Sequence, residues 1–315
     1  MRDVVVIGGG LSGLAAAYEL EEHKVDYTLI EVKRQLGGSL QTIEQSGFIM
    51  DLGAFALANS FDEAWLETLG LCDALYNLSE NTVAFKQGTR ALIDAIAAKI
   101  TAPCLMRMAV SSIGTLENGR CSICLENGMI LDADALIIAV PARYAQRLFY
   151  GYITPLTEKL LDYQYDTIHR VSLGFRSNDI PPHIPNPPDM GFVFIHRSDH
   201  PSRVPDGHTL LQFGLRLARQ RVDSLEQVVT MLCDKFHLPQ PIAAAMGYWP
   251  EADPVSCYHD DHATWVQMVK DKLPQRVTLI GSDYSLYPPS HKGVVRLDER
   301  ITQGRSAARQ VLESL

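Results

Sequence analysis

The sequence predicts an α/β fold in two parts. One part is a parallel sheet with flanking helices and a β-meander; the other is a smaller α+β domain on an antiparallel sheet. Three observations carry this. Residues 3–7 (Asp-Val-Val-Val-Ile) form an apolar, β-branched run that enters a glycine-rich turn and then a helix, as a buried parallel strand does. A second apolar run, 276–280, ends in Gly281-Ser282-Asp283. Between them, 168–175, 191–195, 209–215 and 245–249 read as antiparallel strands. The length, 315 residues, predicts about two domains at roughly 100–200 residues each.

Composition narrows the function. Hydrophobic residues make up 46% and charged residues 21%, which supports a real core and excludes a disordered or fibrous chain. The net charge is −9 and basic residues never run beyond two in a row, so neither nucleic acid nor an anionic membrane is an expected partner. The first residues read as strand and turn, not as a signal peptide. No apolar run reaches the length of a transmembrane helix. Six scattered cysteines read as reduced thiols, hence a cytoplasmic protein. Cys121 and Cys124 have CxxC spacing, but residues three apart on a strand point to opposite faces and a second pair is absent. His259-Asp-Asp-His262 has no third fixed ligand nearby and reads as a polar loop. A metal is therefore not expected.

The opening strand leads into Gly8-Gly9-Gly10-Leu11-Ser12-Gly13, which matches G-x-G-x-x-G, and a helix of good formers follows. A second strand, 27–31, ends in Glu31, 18 residues after Gly13. Each part has a physical reason in a Rossmann-like dinucleotide site. Gly8 allows the tight turn, Gly10 lets backbone approach a pyrophosphate, and Gly13 lets the helix pack closely on the sheet. The helix start at Leu11 and Ser12 offers N–H groups to phosphate, and Glu31 can accept from a ribose diol.

After Glu31 come Val32, Lys33, Arg34, Gln35, Leu36, Gly37, Gly38, Ser39 and, three residues on, Thr42. On the acid and the following L-G-G-x-x-x-T the chain resembles the flavin amine oxidase superfamily, most closely its protoporphyrinogen oxidase branch. The resemblance implies FAD, bound non-covalently because no cysteine lies near 284–296, with its pyrophosphate and ribityl chain wrapped by Arg34, Gly37, Gly38 and Ser39. The family's arginine before L-G-G falls on Gln35 here, and its usual basic residue after G-G is Ser39.

The resemblance continues along the chain. Residues 47–53 (G-F-I-M-D-L-G) look like the family's next strand and turn, and 88–100 like its helix into a second FAD segment. Residues 108–113 look like the strand whose valine, Val110 here, contacts adenine by its backbone; a hairpin turning at Glu126-Asn127-Gly128 follows. The run 133–142, ending at Pro141-Ala142, resembles the strand near the diphosphate. Gly281 and Asp283 resemble the last FAD strand, whose acid reaches the ribityl or phosphate region. Gly293, Val294 and Val295 fall on the family's loop that opens a helix aimed at the flavin, although Val295 and Arg296 stand where glycine and an aromatic are usual. These matches imply an FAD-binding domain assembled from 1–57, 83–145 and 265–315, with 58–82 and 146–264 as the substrate domain.

One family feature is missing. Only 34 residues separate Gly53 from Gly88, where the family's large helical domain would stand. The sequence there predicts one helix, 61–70, capped by Ser60 or Asp62. The flavin site then lacks a wall, so either the substrate is a different, smaller one, a protein partner supplies the wall, or the oxidase activity has been lost.

The substrate-domain strands place Arg170, with His169 beside it, where the amine-oxidising branch has a lysine. Arginine stays charged and cannot act as a base near neutral pH, but it can bind a substrate carboxylate or stabilise reduced, anionic flavin. An exposed strand face is the alternative for both residues. Trp249, with Tyr248, either lines the flavin's face or packs in a core. The Pro-rich stretch 181–205 is expected as a surface loop. The expected function is an FAD-dependent oxidoreductase. Two alternatives stand beside it: oxidation of NAD(P)H, as in the similarly short renalase-like flavoproteins, and a flavin-binding scaffold without turnover.

Overall fold

The computed structural model describes residues 2–163, 165–185, 191–217, 224–254, 262–285 and 297–315. The chain opens with β1 (Arg2–Ile7), α1 (Leu11–Glu22) and β2 (Tyr27–Glu31), followed by the hairpin β3 (Thr42–Gln45) and β4 (Phe48–Asp51). Then come β5 (Leu57–Ala58), α2 (Glu63–Thr68), β6 (Leu75–Ser79), β7 (Thr82–Phe85) and α3 (Arg90–Ala97). The middle holds β8 (Cys104–Met106), β9 (Val110–Thr115), β10 (Cys121–Leu125), β11 (Ile130–Ile138), α4 (Ala142–Phe149) and α5 (Thr154–Leu161). The second domain has β12 (Tyr165–Arg176), β13 (Phe192–Ser198), β14 (His208–Leu217), α6 (Leu225–Phe236) and β15 (Ala243–Pro254). The chain closes with α7 (His262–Lys270), β16 (Val277–Leu279) and α8 (Leu297–Leu312).

Seven strands form the main sheet, in the order β8-β2-β1-β11-β10-β9, with β16 also on β11. The pairs β1–β2, β1–β11, β2–β8 and β11–β16 are parallel. The meander β9–β10–β11 is antiparallel. β1 lies at the centre with both faces covered, which is why its run is continuously apolar. Val4 and Val6 join the core under α1, α3 and α8, while Val5 and Ile7 join the core under α4, α5 and α7.

The second domain is a four-stranded antiparallel sheet, β13-β14-β12-β15. Its two faces do different jobs. Val171, Leu173, Leu211 and Phe213 pack under α6, which is started by a Ser224–Gln227 capping box. Leu210, Ala243 and Ala245 pack on the other face against Phe48, Met50 and Leu52 of the first domain.

Two expectations change here. The stretch 181–205 is not wholly surface: β13 runs through it, and Arg203 and Val204 are buried. The segment 58–82, expected with the substrate domain, buries Trp65, Leu66, Leu69 and Leu71 in the same core as α1 and α8. The predicted helix is α2, with Asp62, not Ser60, as its cap: its carboxylate accepts from the Trp65 amide at 3.0 Å. Between Gly53 and Gly88 the chain forms this short helix and the strands of the sheet β5-β7-β6.

Candidate cofactor and active site

The glycine turn is built by close approaches. At Gly13 a Cβ would lie 1.9 Å from the Gly8 carbonyl oxygen, so α1 can start this near the turn only with glycine there. Gly8 itself has φ +107°. At Gly10 a Cβ would meet nothing within 4 Å: the absent side chain leaves open space in front of the start of α1. Gly10 caps α1 without any side-chain acceptor, so the first amides of the helix are left for an external one. Leu11 and Ser12 are buried and hold this first turn in place.

The second cofactor loop folds onto the first. Gly37 N–H donates to the Gly9 carbonyl at 2.8 Å, and Gly10 and Gly37 form a parallel bridge. Gly37 and Gly38 take φ +110° and +62°, a turn that brings Gly38 against the Gly10 Cα. The Ser39 carbonyl lies beneath Gly53, where a Cβ would clash at 2.1 Å. Glu31 is buried, and its two carboxylate oxygens accept from Gly9 N–H at 2.6 Å and Lys33 N–H at 2.7 Å. Each oxygen keeps acceptor capacity for a ribose hydroxyl. Val32 and Arg34 are exposed at the loop's edge. Met108 N–H and Arg107 N–H donate to the Glu31 and Lys33 carbonyls, which sets Val110 beside the same end. The open space at Gly10, the unused helix amides and the ribose acid together fit a dinucleotide.

The C-terminal contribution differs from expectation at one residue. Gly281 has φ +132° with open space at its Cβ position, which suits close approach of a ligand. Asp283 does not face that way. Its carboxylate is 1% exposed and accepts from Ala142 N–H at 2.7 Å and from the Tyr165 hydroxyl, and Tyr163 donates to its backbone carbonyl. The carboxylate therefore ties the start of α4, just after Pro141, to the base of β12. Burial pushes its pKa above the ordinary carboxylate range, against the pull of these hydrogen bonds. Gly293, Val294 and Val295 lie outside the described residues.

Strand alternation separates the catalytic candidates. Arg170 is 7% exposed on the face turned toward the cofactor domain, its guanidinium 4.6 Å from the centre of the Phe194 ring. His169 is fully buried on the opposite face, with its ring 5.1 Å from Tyr248. The structure does not bring it to the site, and neither residue lies on an exposed face. Trp249 shares the Arg170 face: its Nε1–H donates to the Leu52 carbonyl, and Lys33 Nζ lies 5.7 Å from its ring centre.

Two residues of this face, Phe194 and His196, and Phe55 of the segment opposite it were missed. Phe194 packs edge-on against Phe55 at 5.6 Å, and His196 lies 5.7 Å from the same ring. Burial and the nearby Arg203 charge push the His196 pKa down to about 4, so its imidazole is neutral at pH 7. The signal was the period-two run Phe194, His196, Ser198. Ala56, next to Phe55, accepts from Leu297 N–H at 3.0 Å, so Phe55 adjoins the start of α8. Gly214 makes the cluster feasible, since a Cβ there would lie 2.4 Å from the Phe194 ring. Among the described residues no group of acids, histidines and cysteines could hold a metal, and no helix is long and apolar enough to cross a membrane.

The profile of an NAD(P)-binding Rossmann-like domain matches residues 6–70, and that of the flavin containing amine oxidoreductases matches 55–312. The mitochondrial protoporphyrinogen oxidase of Nicotiana tabacum is 40% identical over 83 residues, which is 25% of this chain but 16% of that protein. The chain thus covers far less than two thirds of that relative. A putative protoporphyrinogen oxidase from Exiguobacterium sp. 255-15 superimposes with a TM-score of 0.78 at 14% identity, over 100% of this chain and 99% of that one. A reduced UDP-galactopyranose mutase gives 0.74 at 15% identity, over 100% and 94%. At such identities the structures share the fold. With its glycine turn, ribose acid and a family profile spanning most of its length, the chain belongs to the flavin containing amine oxidoreductase family, with FAD as its cofactor.

Proposed function

We propose that this protein is an FAD-dependent oxidoreductase. It takes hydride from a substrate that is small, or presented by a protein partner, and held against the Arg170 face of the antiparallel sheet. The observation that carries this is the convergence on one face of Arg170, Phe194, His196 and Trp249, opposite the segment 52–56 that reaches α8. FAD supplies the redox step when bound. The chain supplies position and charge. The glycine turn, the Gly37–Gly38 loop and Glu31 would hold phosphate and ribose. Arg170 contributes a permanent positive charge suited to an anionic substrate group or to charge that develops during transfer. His196 offers a neutral hydrogen-bonding imidazole, and Phe55 and Phe194 exclude water from its side of the site. We place the FAD-binding domain at 1–57, 83–145 and 265–315, with 146–264 as the substrate domain; the packing of α2 supports moving 58–82 to the former. The reduced-thiol reading of the cysteines supports a cytoplasmic location.

The test is a spectrum of the purified protein followed by anaerobic titration with donors. The protein should be yellow and should bleach with a small donor. Colourless protein that takes up no FAD would sink the proposal. Bleaching by NAD(P)H selects a renalase-like reaction, and bleaching by an amine or a porphyrinogen selects the branch the sequence resembles. Tight FAD with no bleaching by any donor leaves a scaffold.

A further inference from the structure

Arg203 is a buried cation whose charge helps keep His196 neutral but whose own hydrogen bonds lie outside the substrate face. It lies in the connection between β13 and β14, and its side chain is 1% exposed. From the substrate domain it reaches into the cofactor domain. Nη1 donates to the Phe85 carbonyl at 2.8 Å and Nη2 to Asp51 Oδ2 at 2.8 Å, while its own carbonyl accepts from Ile49 N–H at 2.9 Å.

Asp51, equally buried, joins both halves of the site. Toward the cofactor, its Oδ1 accepts from the Thr42 hydroxyl at 2.7 Å, Thr89 N–H at 2.8 Å and the Thr89 hydroxyl at 3.0 Å. Thr42 Oγ1 in turn accepts from Arg90 N–H at 3.0 Å, and Arg90 Nη1 donates to the Leu36 carbonyl at 3.1 Å. Leu36 directly precedes Gly37 and Gly38. Toward the substrate sheet, the Asp51 carbonyl accepts from the Ser172 hydroxyl at 3.3 Å and from Gln212 Nε2 at 3.5 Å. Ser172 is two residues from Arg170 on the same face. Gly88, with φ +80°, lets the groups close up: a Cβ there would fall 2.3 Å from Thr42 and 2.8 Å from Asp51 Oδ1.

We propose that Arg203 is a positioning residue that, through Asp51, couples the FAD loop at 36–38 to the seating of the Arg170 face. The proposal rests on FAD occupying that loop. A surface ion pair would be too weak and too mobile for this task. Here both partners are buried: the carboxylate's Oδ1 is taken by Thr42 and Thr89 on the side of the FAD loop and its Oδ2 by Arg203, while the backbone carbonyl of the same residue takes Ser172 and Gln212 of the substrate sheet. Loss of either charge strands the other in the interior, so the arrangement holds as a unit. Coupling of this kind is reciprocal: a change at one end must be readable at the other.

The test uses the FAD-loaded protein. Arg203→Met keeps the side chain's bulk and removes its charge and donors. It should release FAD about tenfold faster or more, and shift the visible circular dichroism of the bound flavin. Arg203→Lys should recover part of both, because an ammonium can hold the Asp51 charge without the guanidinium's two-pronged reach. Thr42→Val keeps the ion pair and breaks the relay one step nearer the cofactor. It should raise amide hydrogen exchange in residues 199–207, which Thr42 does not touch. If Arg203→Met folds and holds FAD with wild-type release and wild-type visible dichroism, the coupling is overturned. If Arg203→Met does not fold, Thr42→Val decides: unchanged exchange across 199–207 overturns the proposal and raised exchange sustains it. A wild-type protein that binds no FAD would instead overturn the cofactor assignment.

Discussion

At Gly10 the structure turns a sequence motif into a steric statement. A Cβ there would touch no protein atom, so a substitution should leave the fold standing and fill only the ligand's space. Gly10→Val is therefore expected to abolish FAD binding while leaving thermal unfolding of the FAD-free protein little changed, by equilibrium dialysis and circular dichroism. FAD retained at wild-type stoichiometry would refute the site. Asp283 makes a different prediction. Its folded pKa is raised by burial, so the folded state binds its proton more readily than the unfolded chain does. Its contribution to stability is fully present below the unfolded value and is lost as pH rises through the folded value. Relative to Asp283→Asn, the wild type should gain stability as pH falls from neutral toward the ordinary carboxylate range. The check is the Tm difference between the two proteins across that window; a difference moving against the wild type on acidification would contradict the burial argument.

At the scale of elements, α1 and α8 are held together at Gly304. A Cβ on that residue would lie 2.2 Å from the Ser12 carbonyl and 3.1 Å from the Ala16 amide nitrogen, backbone atoms that cannot rotate away. Gly304→Val gains a few tenths of a kcal/mol in helix propensity, against about 1–3 kcal/mol for overpacking, so the clash wins. The variant should melt lower and bind FAD less tightly, because Ser12 belongs to the first turn of the helix proposed to face the phosphates. Elements of this kind were legible in the sequence because their signals are local. The strand 27–31 was read to the residue. The orientation of side chains between elements was not legible. Asp283 carries the family's spacing, yet two tyrosines from 163 and 165 hold it inward. Arg203 sits among prolines and glycine, and its acceptors lie 118 and 152 residues away. His169 and Arg170 differ by one position, and only a known strand register decides which of them faces the cofactor.

Across the whole molecule, the surfaces proposed to hold the cofactor come from parts of the chain that are far apart: the turn at 8–13, the loop at 37–39 and the strand end at 281. These parts meet through the central strands β1, β11 and β16, which also divide the two main cores. The domain interface adds Arg203, Asp51, Ser172 and Trp249. A ligand that touches all three segments binds the folded chain and has almost nothing to hold in the unfolded one. FAD should therefore stabilise by mass action: about 2.7 kcal/mol at a hundredfold excess over its Kd, growing with the logarithm of free FAD. For a chain of this size that corresponds to a rise in Tm of roughly 4–8 °C. Scanning calorimetry of the protein at stepped FAD concentrations measures it. If the segments form one site, a single transition should move as a whole, with the antiparallel sheet following the cofactor domain through the Asp51–Arg203 joint. A transition that splits, with only one part moving upward, would show that the substrate sheet unfolds independently of the cofactor site. A Tm that ignores FAD altogether would mean that the folded chain does not bind it, and would overturn the cofactor assignment.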